Sequence, residues 1–196
     1  AVGENVPASR IASSVLVRSM MHGPVDFRPF ECVTLGSEFN GGFAQYCTVH
    51  QGDAFDINCG LSDIELGAIP CAYSTAEGML VRAGITGKDR VLITGASGGV
   101  GTAAVQLARL RYVTAGAIGG PIVELDLRTL YLKDISLYGC VYQETEVFQN
   151  IINYLEAGRL RPKIAATYQL QDIVEAQKKF LEKDFVGKIS LVLPQD

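Results

Sequence analysis

The run Val91-Leu92-Ile93-Thr94-Gly95-Ala96-Ser97-Gly98-Gly99-Val100-Gly101 and its continuation from Thr102 to Leu110 constrain this chain more than any other stretch. The spacing predicts a buried strand, a glycine-rich turn, and a helix that begins on the last glycines. The apolar stripe of that helix is Val100, Ala103, Ala104, Leu107 and Ala108. A helix N-terminus carries unpaired N–H groups and the positive end of a dipole, so the turn suits a pyrophosphate. Gly98 lets the backbone approach such an anion, and Gly101 lets the helix pack closely on the strand. Ala96 holds the place of the first glycine of G-x-G-x-x-G. On a strand–turn–helix unit this pattern predicts a dinucleotide site, with a plain structural turn as the competing reading.

With 196 residues, 48% of them hydrophobic, the chain is long enough to bury a core in one or two domains. A net charge of −4 and the lack of a basic run argue against nucleic acid or an anionic membrane as partner. No apolar run approaches the roughly 20 residues that span a bilayer. Ala1 opens a polar, irregular stretch, so no signal peptide is expected. Cys32, Cys47, Cys59, Cys71 and Cys140 are odd in number and scattered, which points to a reduced, cytoplasmic compartment.

Residues 1–60 are β-rich in pattern, with strands expected at Val15–Val17, Phe43–Val49 and Ala54–Ile57 and a loop from Met20 to Asn40. The character changes at Ser62-Asp63-Ile64-Glu65, a capping box that opens a helix ended by Pro70. A second helix follows over Thr75–Ala83. After the glycine turn come a strand at Tyr112–Ala117, a Gly119-Gly120-Pro121 turn, a helix-like Leu125–Leu132 and a strand at Ile135–Tyr142. An amphipathic helix over Thr145–Ala157 buries Phe148, Ile151, Ile152 and Leu155 and stops at Gly158. Leu170–Leu181 reads as a helix and Gly187–Leu193 as a closing strand. Strands first, then strands alternating with helices, predict a β domain feeding a parallel α/β sheet.

In this order, Gly41-Gly42-Phe43-Ala44-Gln45-Tyr46, Leu61-Ser62-Asp63 to Ile69-Pro70, Ser74-Thr75-Ala76, the turn Gly95–Gly101 with Ala104-Val105-Gln106-Leu107-Ala108, Tyr112–Gly116 and Gly187-Lys188 resemble a medium-chain dehydrogenase/reductase of the quinone-oxidoreductase side. The resemblance implies an α/β fold. A partial GroES-like β-barrel substrate domain would cover 1–60, and a Rossmann-like dinucleotide-binding domain with its entry helices 61–166. A C-terminal return helix and strand over 167–196 would pack on the substrate domain. It also implies two missing pieces: the start of the substrate domain, and a segment at 110–112, where helix runs straight into strand without a connecting turn. The latter would hold the acid or base that chooses NAD or NADP. Glu124 and Asp126 lie about as far past Gly101 as that acid should, but they follow Gly119-Gly120-Pro121 and read as surface or helix-start acids.

The implied activity is NAD(P)H-dependent hydride transfer to or from a carbonyl, quinone or enone, NADP being favoured over NAD. Thr75 would position the nicotinamide. Gly98, Gly99 and Val100 would face the pyrophosphate, and Ala115, Gly116 and Ala117 would line the ring pocket. Cys140, Val141 and Tyr142 would pass beneath the carboxamide, and Lys188 would pair with the phosphates. Cys71 stands where zinc-dependent relatives keep a catalytic ligand, but a catalytic zinc takes three protein ligands. The Met20–Asn40 loop has only Cys32 where a structural zinc takes four, so zinc is not expected. Gly95-Ala96-Ser97-Gly98-Gly99 also matches G-x-S-x-G, yet His22 and His50 both precede Ser97, against hydrolase order. Tyr46, Tyr73 and Tyr142 are equal candidates for a proton donor. The implied partners are a small-molecule substrate and a second copy of the chain, docked through Ile135–Tyr142. The alternative is a non-catalytic dehydrogenase-like remnant that serves as a binding or dimerisation module.

Overall fold

The computed structural model describes residues 2–21, 33–86, 88–89, 91, 93, 95–108, 124, 126 and 144–194. The order of elements is β1 (Val15–Val17), β2 (Met20–Met21), β3 (Val33–Thr34), β4 (Ala54–Asp56), α1 (Asp63–Gly67), α2 (Ala72–Arg82), α3 (Gly99–Ala108), α4 (Thr145–Glu156), β5 (Ile164–Gln169), α5 (Ile173–Glu182) and β6 (Lys188–Val192). The fold is α/β. The expected strands at Tyr112–Ala117 and Ile135–Tyr142, the Leu125–Leu132 helix and the 110–112 junction lie outside the described residues.

The core forms around α2. Its Ala72, Tyr73, Ala76 and Leu80 pack with Ala103, Ala104 and Leu107 of α3 and with Phe148, Ile151, Ile152 and Leu155 of α4. Small residues at 72, 74, 76 and 78 let both neighbouring helices come close to the α2 backbone. The capping box is present as expected: the Ser62 hydroxyl accepts from the Glu65 N–H, and Glu65 accepts from the Ser62 N–H at 3.0 Å. Arg161 Nε also donates to Glu65 at 2.6 Å, which ties α1 to the approach of β5. The backbone amide, the Arg161 guanidinium and the Ser62 hydroxyl together hold the Glu65 carboxyl down at about 2.

β1 pairs antiparallel with β4, in register Leu16↔Phe55, and β2 pairs with β3. The first sheet docks on α4 in two ways. Phe55 and Phe148 stack with ring centroids 4.8 Å apart. Arg18, buried, donates from Nη2 to Asp53 Oδ1 at 2.6 Å and from Nη1 to Thr145 Oγ1 at 3.1 Å. A second buried carboxylate, Glu77 on α2, accepts from Asn150 Nδ2 of α4 at 3.1 Å.

At the other end, β5 and β6 pair in parallel, Thr167↔Ser190 and Tyr168↔Leu191, joined through α5. A parallel pair needs such a crossover, and the helix supplies it. β5 was not anticipated, because its Ala165 and Ala166 dilute the β signal of Thr167 and Tyr168. The strand expected over Phe43–Val49 is not formed. These residues make no ladder, and Phe43 and Tyr46 are 71% and 78% exposed. Strand propensity describes a fit to a half-buried pleated surface, and no described strand pairs with this segment to provide one. α2 begins three residues earlier than expected, capped by Cys71 at φ 69°. Of the strand expected before the glycine turn, Val91 and Ile93 pack half-buried against the core, and Leu92 and Thr94 lie outside the described residues.

Two measurements test this framework. Asp53→Asn removes the anionic partner of a buried guanidinium and should cost about 3 kcal/mol in urea unfolding, with a compensating gain when Arg18 is replaced by Met in the same chain. Glu65 is depressed in the folded state. Its contribution is therefore present above the ordinary carboxylate range and lost as pH falls through about 2. Acid unfolding of Glu65→Gln should accordingly show a shallower pH dependence below pH 4.5 than the parent chain.

Candidate functional site

The glycine turn and the first turn of α3 form the site. Gly95 sits at φ 63°, and the Gly98 N–H donates back to its carbonyl at 3.0 Å. The turn therefore reverses on Gly95, and Ala96, one residue later, needs no positive φ. That explains why an alanine is accommodated where the fingerprint has its first glycine. The Thr102 N–H donates to Gly98 O at 2.8 Å as an early bond of α3, and its hydroxyl donates to Ala96 O at 3.1 Å. At Gly101 a Cβ would overlap the Gly95 carbonyl oxygen and lie 2.8 Å from Ala96 Cα, so glycine is required there by backbone contact. The close packing expected of Gly101 is thus directed at the turn itself.

Lys188 opens β6. Gly187, before it, lies at φ 117°, and a Cβ there would overlap the Lys163 carbonyl oxygen, which also accepts from the Lys188 N–H at 2.8 Å. From this fixed start the lysine stem runs over α3, and its Nζ lies 2.8 Å from where a Cβ on Gly99 would be. Burial pushes the Lys188 amine down from the ordinary lysine value, and the nearby Cys71 acts against that shift. Lys188 has no ion pair or hydrogen bond through Nζ to any described residue. Cys71, exposed, is the N-cap of α2, and Thr75 stands one turn further along that helix, half-buried.

The structure therefore brings Gly98, Gly99, Val100 and Lys188 together, with Cys71 beside the lysine and Thr75 on the same helix as Cys71. Ala115, Gly116, Ala117, Cys140, Val141 and Tyr142 lie outside the described residues. Tyr73 is corrected as a proton donor. It is 2% exposed, its hydroxyl accepts from Gln106 Nε2 at 3.0 Å, and burial holds it up at about 12. It belongs to the α2–α3 packing. His50 is exposed, and its Nδ1 accepts from the Gly52 N–H. Among the described residues, no three His, Cys, Asp or Glu side chains gather at a metal-sized position.

That Cys71 lies close enough to Lys188 to act on it electrostatically was not expected. The only hint was the Gly-Lys dipeptide at a strand start. A separate cleft of about 790 Å³ runs along β6, lined by Phe43, Ile64, Ala176, Phe180, Ile189 and Leu191 among others. No described helix is long and apolar enough to cross a membrane.

An anion held here would meet the Lys188 ammonium and a helix N-terminus together. These features fit the pyrophosphate of a dinucleotide. No family model matches the chain. A curated relative, acryloyl-coenzyme A reductase of Sulfurisphaera tokodaii, is 24% identical over an alignment covering 98% of this chain and 80% of that protein. That alignment runs over 269 positions, more than the 196 residues of this chain, so the reductase carries residues without a counterpart here. Erythronolide synthase EryA2 of Saccharopolyspora erythraea is 39% identical over 97 residues, half of this chain (49%) but 3% of that far longer protein.

Among solved structures, a cobalt- and zinc-bound thermostable alcohol dehydrogenase of Pyrobaculum aerophilum shares the fold at TM-score 0.84 and 23% identity, over 97% of this chain and 78% of that one. The 2-octenoyl-CoA carboxylase reductase CinF, solved with NADP and 2-octenoyl-CoA, shares it at 0.74 and 20%, over 85% and 58%. A structure named as an alcohol dehydrogenase of Sinorhizobium meliloti 1021 superposes at TM-score 0.91 with 30% identity, over 99% of this chain and 73% of that one. On that likeness the chain belongs to the medium-chain dehydrogenase/reductase superfamily of NAD(P)-dependent oxidoreductases, with its GroES-like and Rossmann architecture.

Proposed function

We propose that this chain binds a nicotinamide dinucleotide on the Gly95–Gly101 turn and transfers hydride to or from a carbonyl, quinone or enone without zinc. NADP is preferred over NAD in this reading. The observation that carries it is the Lys188 ammonium lying over Gly99 at the start of α3. The enone arm draws support from the names of two relatives, an acryloyl-CoA reductase and a fold neighbour solved with 2-octenoyl-CoA. A bound dihydronicotinamide supplies the hydride from its C4. The residues of this chain bind and orient: Gly98, Gly99 and Val100 face the diphosphate, Lys188 neutralises it, and Thr75 positions the ring. Ala115, Gly116, Ala117, Cys140, Val141 and Tyr142 complete the ring pocket in this proposal. The proton that completes a reduction comes from solvent or from a tyrosine other than the buried Tyr73. A cytoplasmic homodimer is the proposed working form.

A second reading is a non-catalytic remnant that keeps the scaffold. It is favoured by the greater length of the alignment with the reductase.

Fluorescence titration with NADPH and NADH separates these readings. Both nucleotides should bind, NADPH the more tightly, and Lys188→Met should weaken binding roughly tenfold through loss of a charge-assisted contact. Turnover with a quinone or an enoyl thioester then supports the enzyme, and binding without turnover supports the remnant. A chain that takes up neither nucleotide overturns the dinucleotide reading.

A further inference from the structure

The three glycines at 95, 99 and 101 are glycine for different reasons. Gly95 adopts a positive φ of 63°. Gly101 has ordinary φ, but a Cβ there would strike the backbone of Gly95 and Ala96. Neither reason holds at Gly99. Its φ is not in the left-handed region, and the atoms lying nearest to its missing side chain, outside its own helix, belong to one side chain rather than to backbone. As the first residue of α3 it would be better served by alanine, the stronger helix former. What fills the space is the end of one side chain: Lys188 Nζ at 2.8 Å, Cε at 2.9 Å and Cδ at 3.3 Å from the Cβ position.

The lysine is also held from behind. Gly187 leaves no room for a Cβ beside the Lys163 carbonyl, the Lys188 N–H bonds to that same oxygen, and Lys188 pairs with Ile164 across the parallel ladder. The stem therefore leaves β6 in a fixed direction. Its tip rests in an unfavourable place for a cation, partly buried and at the positive end of a helix dipole. The titratable or charged groups facing it among the described residues are Cys71 at the head of α2 and, behind its backbone, Lys163. A diphosphate would relieve the burial and the dipole together.

We propose that Gly99 is a positioning residue: its absent side chain is the seat that holds the Lys188 ammonium over the first turn of α3, so that β6 supplies part of the anion site. This rests on the dinucleotide reading above for its ligand, although the seat itself is a property of the free protein. Alanine at 99 would meet only the flexible end of a lysine, so the fold stays intact while the ammonium is pushed aside.

A double-mutant cycle tests it. Dissociation constants for NADPH, NADH and inorganic pyrophosphate are measured on the parent chain, Gly99→Ala, Lys188→Met and the combined variant, with thermal unfolding followed in each. Gly99→Ala should weaken binding roughly fivefold in the parent and not at all once Lys188 is Met, because its effect passes through the lysine. Equal losses in both backgrounds would overturn the proposal in favour of a glycine needed for direct phosphate approach, and so would no loss in either. In the free protein, NMR titration of the Lys188 side chain should show its midpoint rising toward the ordinary lysine value in Gly99→Ala. An unmoved midpoint overturns the seat. Should the parent chain bind none of the three ligands, the dinucleotide reading fails, and this ligand-free titration still decides whether Gly99 seats the lysine.

Discussion

The packing of α2 between α3 and α4 is the contact on which the remaining structure depends. Tyr73, Leu80 and the preceding Ile69 are essentially excluded from water. Burying side chains of this size stabilises by about 1.5–3 kcal/mol each. The same helix sets the site. Its N-cap, Cys71, lies by the lysine of β6, its Thr75 lies one turn along, and its Tyr73 is clamped to Gln106 of α3. Gln106 in turn accepts from the Arg161 N–H at 3.3 Å, which connects α3 to the approach of β5. The helix that carries the glycine turn is thus fixed on one side by α2 and on the other by the segment that leads to Lys188.

Much of this was legible in the sequence, for reasons that differ by element. The turn and α3 announce themselves because glycines at fixed offsets and a small apolar stripe have few other uses. The Ser62–Glu65 box is a purely local device, satisfied within one helical turn, so four residues suffice to read it. α4 shows a clean 3.6-residue period because one face alone meets the core. Residues 43–49 mislead, since aromatic and β-branched side chains promise a strand only where a neighbour exists to pair with. β5 was missed for the opposite reason: a parallel strand made partly of alanines takes its identity from its partner β6.

The site was legible by residue type and not by juxtaposition. Gly98, Gly99 and Lys188 were each singled out on resemblance, but nothing local joins positions 99 and 188. Only the β5–α5–β6 crossover brings the start of β6 over α3. The buried groups were equally hidden. Nothing local marks Glu77 on α2 or Arg18 as buried, because their partners Asn150 and Asp53 lie far along the chain. Tyr73 as a proton donor was plausible from its type alone and fails on burial.

The bond from Arg18 to Thr145 spans 127 residues of chain. A polypeptide emerges from the ribosome in order, at roughly 5–20 residues per second. Asp53 reaches Arg18 early, whereas Thr145 and Phe148 follow it roughly 5–19 seconds later at those rates. Through that interval the first sheet exists without the helix that covers Phe55. The nascent N-terminal third must wait with an aromatic face open, and that makes the time before α4 arrives the period in which this protein is most exposed to misassociation.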